Sequence, residues 1–437
     1  MRKTFKNEIG ITLIALVVTI VVLLILAGIT INMLFSNGGI FRTAQDAANA
    51  WNEAVINEQE SLDNIADQIA NLVNGQVGGG TTPENPTIGP NGKPLVETLT
   101  EIQTENNVEA EDEYGNPVTV PKGFKVVVGS VGEKITVPNG VVVEDVAENQ
   151  FVWIPVGIVY KNAEKTDTAT IKLGRYTFDE DDGTPTMQQA AFAGDNPNNA
   201  SQTYENTVTI NSYYQELTIA RDGVESTSTN GLNATAKDLA GFMQSVSDHG
   251  GYYIARYEAS YGSGSSTADW KPLSKISTAT RQSTSTPLTQ GTLWTSIKQL
   301  AAAQVARNMY AGNKDIEENS VGVESDLINS YAWDTAIVYV QQMGHDNYAN
   351  YSRDETGNTS LMDTGKTGDV VCNIYDMAAN AHEWTTEYST LKRNGAVPSV
   401  SRGGDFAYST NYTAAHIGYS TTITSSATSF RCLLYVK

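Results

Sequence analysis

Groups for covalent chemistry are few in this sequence. Four histidines occur, His249, His345, His382 and His416. None stands in a metal-ligand spacing such as H-E-x-x-H, and no Ser–His–Asp order is persuasive. The acidic run from Asp179 to Asp182, closed by Gly183, reads as a turn rather than a cation loop. Only two cysteines occur, Cys372 and Cys432, too few for a disulfide framework or a thiolate metal site. Whether they pair in an oxidising exterior depends on a separation that sequence does not give. The chemistry on offer is contact chemistry. Residues 405–428 are dominated by Tyr, Ser, Thr and Asn, with small Ala and Gly between. Tyr supplies rigid amphipathic contact area, and Ser, Thr and Asn supply adaptable hydrogen bonds. Tyr408, Tyr412, His416 and Tyr419 recur every three or four residues there. With Asp405 and Asn411 they form the expected ligand-binding set.

Such a face needs a scaffold and an address. The address is at the start of the chain. No charged residue lies between Glu8 and Arg42, and residues 11–27 are apolar except for two threonines. A run of that length crosses a hydrocarbon core of about 30 Å as a helix. Arg2, Lys3 and Lys6 precede it and are expected to hold the N-terminus in the cytoplasm, leaving the rest of the chain outside. A stripe of Trp51, Val55, Leu62, Ile65, Ile69 and Leu72 then continues a helix to about residue 74. Residues 75–94 are a Gly- and Pro-rich linker, too rich in both to bury a core. Short β-branched strands separated by Gly and Pro-Asn-Gly turns fill residues 95–148 and read as a β-rich spacer. Helices are expected over 293–310 and 334–343. The formal charge of −21 argues against a nucleic-acid partner, whose phosphates require a basic face.

The segment Lys6-Asn-Glu-Ile-Gly10, followed by Ile11-Thr-Leu-Ile14, resembles the prepilin signal of type IV pilins and pseudopilins. That resemblance implies a leader of residues 1–10, cleavage between Gly10 and Ile11 by a prepilin peptidase, and other pilin-like subunits as partners. Ile11 replaces the usual Phe, and Ala15 stands where pilins carry a Glu that pairs with a neighbouring subunit.

A second resemblance spans the C-terminal part. The blocks QFVWIPVG (150–157), YIARYE (253–258), NIYDMAANAHEWT (373–385), SRGG (401–404) and SFRC (429–432) fall in a fixed order. They resemble the formylglycine-generating, sulfatase-modifying domain, a variant of the C-type-lectin fold. The implied fold class is α+β: a long N-terminal membrane helix, a flexible linker, a small β-rich spacer, then an irregular lectin-like domain over 149–437. In that family the enzyme carries a copper-binding cysteine pair between its last two blocks. Residues 405–428 contain no cysteine, and copper(I) needs soft thiolates. Enzymatic activity is therefore not expected. The same fold carries the mutable binding residues of the variable proteins of diversity-generating retroelements, in the corresponding segment. The resemblance also implies structural calcium, held by Asp376, by the carbonyls of Ala379 and Ala381, and by Glu383, with a second site near Asn350 and Asp363.

The expectation is a single-pass protein of the cell membrane with an extracellular, adhesin-like head that binds a protein or glycan. The alternative is a structural minor pilin or pseudopilin whose head binds nothing.

Overall fold

Three apolar runs set the fold. Gln150–Pro155, Gly251–Ala255 and Cys432–Val436 are almost wholly buried along their lengths, the pattern of strands covered on both faces. In the computed structural model they are neighbours in a six-stranded sheet. Its order is Val323–Leu327, Cys432–Val436, Gly251–Ala255, Gln150–Pro155, Val142–Asp145 and Phe124–Val126, antiparallel throughout. Trp153 stands opposite Tyr253, with ring centroids 4.9 Å apart. Consecutive strand residues point to opposite faces. The Tyr252 hydroxyl accordingly donates to the Ala332 carbonyl, and the Tyr253 hydroxyl to the Thr119 carbonyl (both 2.7 Å). The Tyr252 side is covered by helices, the Tyr253 side by the hairpin of Val108–Glu111 and Pro117–Val120.

The structure describes residues 88–89, 91–129, 134–192, 207–210, 214–217, 235–277, 289–311, 321–391 and 397–437. The leader, the Gly10–Ile11 junction, the expected membrane and stalk helix (11–74) and most of the 75–94 linker lie outside these residues. No helix among the described residues is long and apolar enough to cross a membrane. The described residues belong to one unit, Asn85–Lys437. The boundary expected at 148/149 falls within the turn joining two paired strands, where Asp145 N donates to the Asn149 carbonyl at 3.1 Å. Two strands of the supposed spacer, Phe124–Val126 and Val142–Asp145, are thus outer strands of the head's own sheet, and the other two form the hairpin on its Tyr253 side.

The helices form where capping residues meet apolar faces. Leu239–His249 starts at Asp238, whose carboxylate accepts from Gly241 N at 2.8 Å, and ends at a left-handed Gly250. Its Phe242 packs edge-on against Tyr252 and Tyr435. The helix expected over 334–343 runs Ser330–Gln342, capped by Asn329 and buried almost all round. The Ala-rich helix expected over 293–310 is Gln299–Asn308.

A second sheet carries the segment of interest. Its order is Thr207–Ile210, Tyr214–Leu217, His382–Ser389, Ser399–Arg402 and His416–Tyr419, and Thr428–Phe430 pairs in parallel with His382–Ser389. Residues 405–428 are therefore held at both ends by buried strands.

Candidate binding face

The first anchor is Arg402, fully buried. Its Nη2 donates to Asp334 Oδ1 at 2.6 Å and its Nε to the Ala415 carbonyl at 3.0 Å, while its guanidinium lies over the Trp333 ring. Trp333 Nε1 in turn donates to the Thr413 carbonyl at 3.0 Å. Gly404 follows in close contact with the 376–381 segment, where a Cβ would lie 1.9 Å from the Ala378 carbonyl oxygen. The second anchor, Phe430, is buried against Trp294.

Between the anchors the first half of the segment is a loop pinned from beneath. Asp405 is 1% exposed. Its Oδ1 accepts from Tyr408 N at 2.9 Å and from Asn411 Nδ2 at 3.4 Å, and its Oδ2 lies 3.4 Å from His382 Nε2. His382 Nδ1 meets the Gly403 carbonyl at 2.9 Å and its Nε2 meets the Asn411 amide at 3.1 Å. Burial lowers the His382 pKa, partly offset by Asp405. A neutral ring donating from Nδ1 and accepting at Nε2 satisfies both contacts. Phe406 N, Thr413 N and Ala414 N each donate to a carbonyl of another segment, those of Asn380, Tyr351 and Ala349, all at 2.9 Å. Above this tethered backbone Tyr408 is 62% exposed and Tyr412 43%.

The second half has a different character. His416–Tyr419 is a strand. His416 Nδ1 lies 3.0 Å from Glu387 Oε2, and the ring stacks on Tyr214 at 4.7 Å. Glu387 also pairs with Arg175 and stands 3.7 Å from Arg402 Nη1. Burial, then the Arg402 cation, push His416 well below the usual histidine range, so it is neutral and donates to Glu387. Tyr419 packs edge-on against Trp384 at 5.5 Å, and burial raises its phenol to about 12. Of the six expected contact residues, the structure exposes Tyr408 and Tyr412. Asp405 and Asn411 shape the loop, His416 closes a buried ion network, and Tyr419 is packing. Residue type gives contact chemistry, but the direction of a side chain is set by the loop or ladder that carries it. His382, Trp333 and Arg353, which donates to the Phe406 carbonyl, support the loop from positions 29 to 80 residues away. No local spacing marks them.

The two carboxylates among the expected calcium ligands meet donors. Asp376 accepts at Oδ2 from Thr364 Oγ1 (2.7 Å) and Gly365 N (2.6 Å), and at Oδ1 from Thr367 Oγ1 (2.5 Å). Both oxygens of Glu383 are taken by Arg431, at 2.6 and 2.9 Å. Beside them Glu258 accepts from the Asn380 amide and from Ala381 N. Burial, then the charges of Asp376 and Glu383, raise the Glu258 carboxyl well above the carboxylate range. Ala379 and Ala381 are buried in the same place. Asn350, expected at a second site, points its amide nitrogen at the carbonyls of Asp179 and Glu180. Hydroxyls, amides and a guanidinium suit carboxylates, whereas a hard cation wants free oxygens. These residues do not fit calcium, and no metal-holding group of three or more His, Cys, Asp or Glu is present among the described residues.

Cys372 and Cys432 are both free and buried. Burial pushes the Cys372 thiol up to about 12 and Cys432 higher still, which leaves neither as a thiolate.

No family model matches the chain, and no curated protein matches it. Among solved structures, Treponema denticola variable protein 1 aligns with 43% of this chain and 96% of its own, at 14% identity and a TM-score of 0.24. The crystal structure of CarF aligns with 28% of this chain at 18% identity and a TM-score of 0.21. That alignment spans only 50% of the CarF chain.

Proposed function

We propose that this chain is a membrane-anchored, surface-displayed binding protein whose head engages a protein or glycan through the loop at residues 405–415. The observation that carries this reading is the pair Tyr408 and Tyr412, exposed on a backbone that is tethered along its length. Pre-ordering of that kind lowers the entropy lost on association, and a few rigid aromatics commonly supply most of an interface's energy. Among the described residues no group of three or more His, Cys, Asp or Glu that could hold a metal is present, and the proposed reading is binding rather than turnover. Type IV pilin-like processing and anchoring at Gly10–Ile11 complete the proposal. Its basis is the uncharged run from Ile9 to Phe41 behind a basic leader. The same 405–428 segment is where diversification by a retroelement would act.

The test is a Tyr408→Ala/Tyr412→Ala double variant of the membrane-extracted chain, assayed on whole-cell, protein and glycan arrays after its melting temperature is measured. Loss of the wild-type signals at unchanged stability is expected. Undiminished binding by the folded double variant places the site elsewhere. Separately, mass spectrometry of the mature chain is expected to begin at Ile11, and Gly10→Leu to leave Met1 or the leader in place.

A further inference from the structure

A cavity of about 770 Å³ opens beside the strand Val142–Asp145, away in sequence from the tyrosine loop and sharing no residue with it. Its polar centre is Arg256. The guanidinium Nε donates to the Asn373 carbonyl (3.2 Å), Nη2 to Asn373 Oδ1 (2.7 Å) and Nη1 to Gln150 Oε1 (2.8 Å). A guanidinium carries five N–H donors, so two remain after these three bonds. All three acceptors are neutral. The contrast with other arginines is plain: the half-buried Arg307 and the buried Arg402 and Arg431 each hold a carboxylate within 2.8 Å. Arg256 meets none at ion-pair distance among the described residues, in a chain with 49 acidic and 28 basic residues. The Glu144 carboxylate is separated from it by the Gln150 amide, which donates to Glu144 Oε2 at 2.7 Å, and Glu144 is itself answered by Lys125 at 3.5 Å. The plane of Arg256 is fixed by two mutually stacked rings, Tyr375 and Tyr257, whose centroids lie 5.2 and 5.6 Å from its Cζ.

The amide that orients Arg256 is held at a cost in backbone strain. Val370–Val371 and Ile374–Tyr375 pair through a two-residue turn in which Cys372 has φ 45° and Asn373 φ 63°. Two left-handed residues in succession make a tight hairpin turn that Asn tolerates and Cys does not favour. Strain of this kind persists where surrounding contacts impose it, and it gathers at binding sites. Here the contacts are visible. Asn373 Nδ2 donates to the carbonyls of Asn139 (3.0 Å) and Gly140 (2.8 Å), and a Cβ on Gly140 would lie 2.0 Å from the Cys372 oxygen. The turn is clamped against residue 140, and Asn373 presents Arg256 to the cavity as a consequence.

The remaining wall is mixed: Val127, Val128, Ile135 and Val142 form an apolar strip beside the polar Asn139, with Val128 55% exposed at the mouth. Lys134 stands on the rim but is already paired with Glu113. An open, mixed cavity in the size range of small-molecule sites offers a small anion one oriented cation, with an apolar strip beside it for a short apolar body.

We propose that this cavity binds a small organic monocarboxylate, with its carboxylate on the two remaining N–H groups of Arg256 and its apolar body against Val127, Val128 and Val142. The full chain in neutral-lipid nanodiscs would be titrated with phenylacetate and with hexanoate, read by saturation-transfer NMR. Phenylacetamide is the neutral control. Saturable binding of the carboxylates is expected, weakened about tenfold or more both by the amide and by Arg256→Gln, as for loss of a charge-assisted pair. Because Arg256→Gln also removes contacts to Gln150 and Asn373, Val128→Glu serves as the second variant. It places a like charge at an exposed position, and is expected to weaken binding comparably with an unchanged melting temperature. The proposal is overturned if neither carboxylate binds saturably, if phenylacetamide binds as well, or if Val128→Glu retains wild-type affinity.

Discussion

Residues 405–415 and the strand His416–Tyr419 carry the same residue types and meet different fates. In the loop, tyrosines face outward at Tyr408 and Tyr412. In the strand, Tyr419 packs on Trp384 and His416 closes a buried ion network. The strand's backbone is satisfied by its ladder with Ser399–Arg402, and its side chains are half-buried against neighbouring residues. The loop's backbone is satisfied by long-range bonds to Asn380, Tyr351 and Ala349 instead. Tyr408 and Tyr412 are thereby released from carrying the fold, which Asp405 and Asn411 help to hold. A tether through backbone frees side chains for contact; a tether through side chains uses them.

Ways to break that comparison begin at the residue both halves share. Arg402→Ala leaves the buried Asp334 without its ion-pair partner, while Glu387 keeps Arg175. A loss of about 3–5 kcal/mol is expected, as for any buried pair stripped of one member. Chemical denaturation would show it, and a near-native midpoint would mean that Arg402 is not the common anchor.

The double variant Tyr408→Ala/Tyr412→Ala is expected to divide the halves functionally. Truncated hot spots cost about 2 kcal/mol or more each in binding, whereas exposed substitutions change stability by roughly 0.5 kcal/mol or less. Tyr419→Ala should do the reverse, with stability falling by about 1–3 kcal/mol for a packed aromatic and binding largely kept in the folded fraction. If Tyr419→Ala abolishes binding at full stability, the strand belongs to the contact face and the comparison fails.

pH sharpens it further. His416 has a folded pKa well below its unfolded value near 6.5, so the unfolded chain binds the extra proton. The stability it contributes is present above about pH 6.5 and is lost as pH falls below that value towards the folded pKa. The slope contributed approaches roughly 1.4 kcal/mol per pH unit. His416→Gln should flatten the acid limb of a stability profile measured between neutral and mildly acidic pH; an unchanged slope would show that His416 is not held neutral. The smallest effect expected is that of calcium. With Asp376 and Glu383 already satisfied by hydroxyls and by Arg431, a chelator should leave the melting temperature where it is, and a clear drop would reopen that site.

Much of the framework was legible in the residues. The run at 150–155 reads as a buried strand and 251–258 as an alternating one from composition and period alone, whereas nothing but the SFRC block pointed to 432–436. The helix around 334–343 and the Ala-rich one near 299–308 were readable for the same local reason. The β-branched stretch from 95 to 148 was legible as strands but not as part of the head, since pairing with Gln150–Pro155 is a choice of neighbour and not of conformation.

What the sequence alone determined is therefore element type, an uncharged N-terminal run, the absence of a cysteine pair between residues 405 and 428, and a segment rich in contact residues. Tertiary structure decided which of those contact residues are available. It turned Asp405, Asn411 and His382 into a pin beneath the loop, matched Glu383 with Arg431 in place of a cation, and left Arg256 facing a cavity. The reason is physical. Whether a polar group is spent on the fold or kept for a partner depends on donors and acceptors 30 to 120 residues away, and no local pattern records where those come to rest.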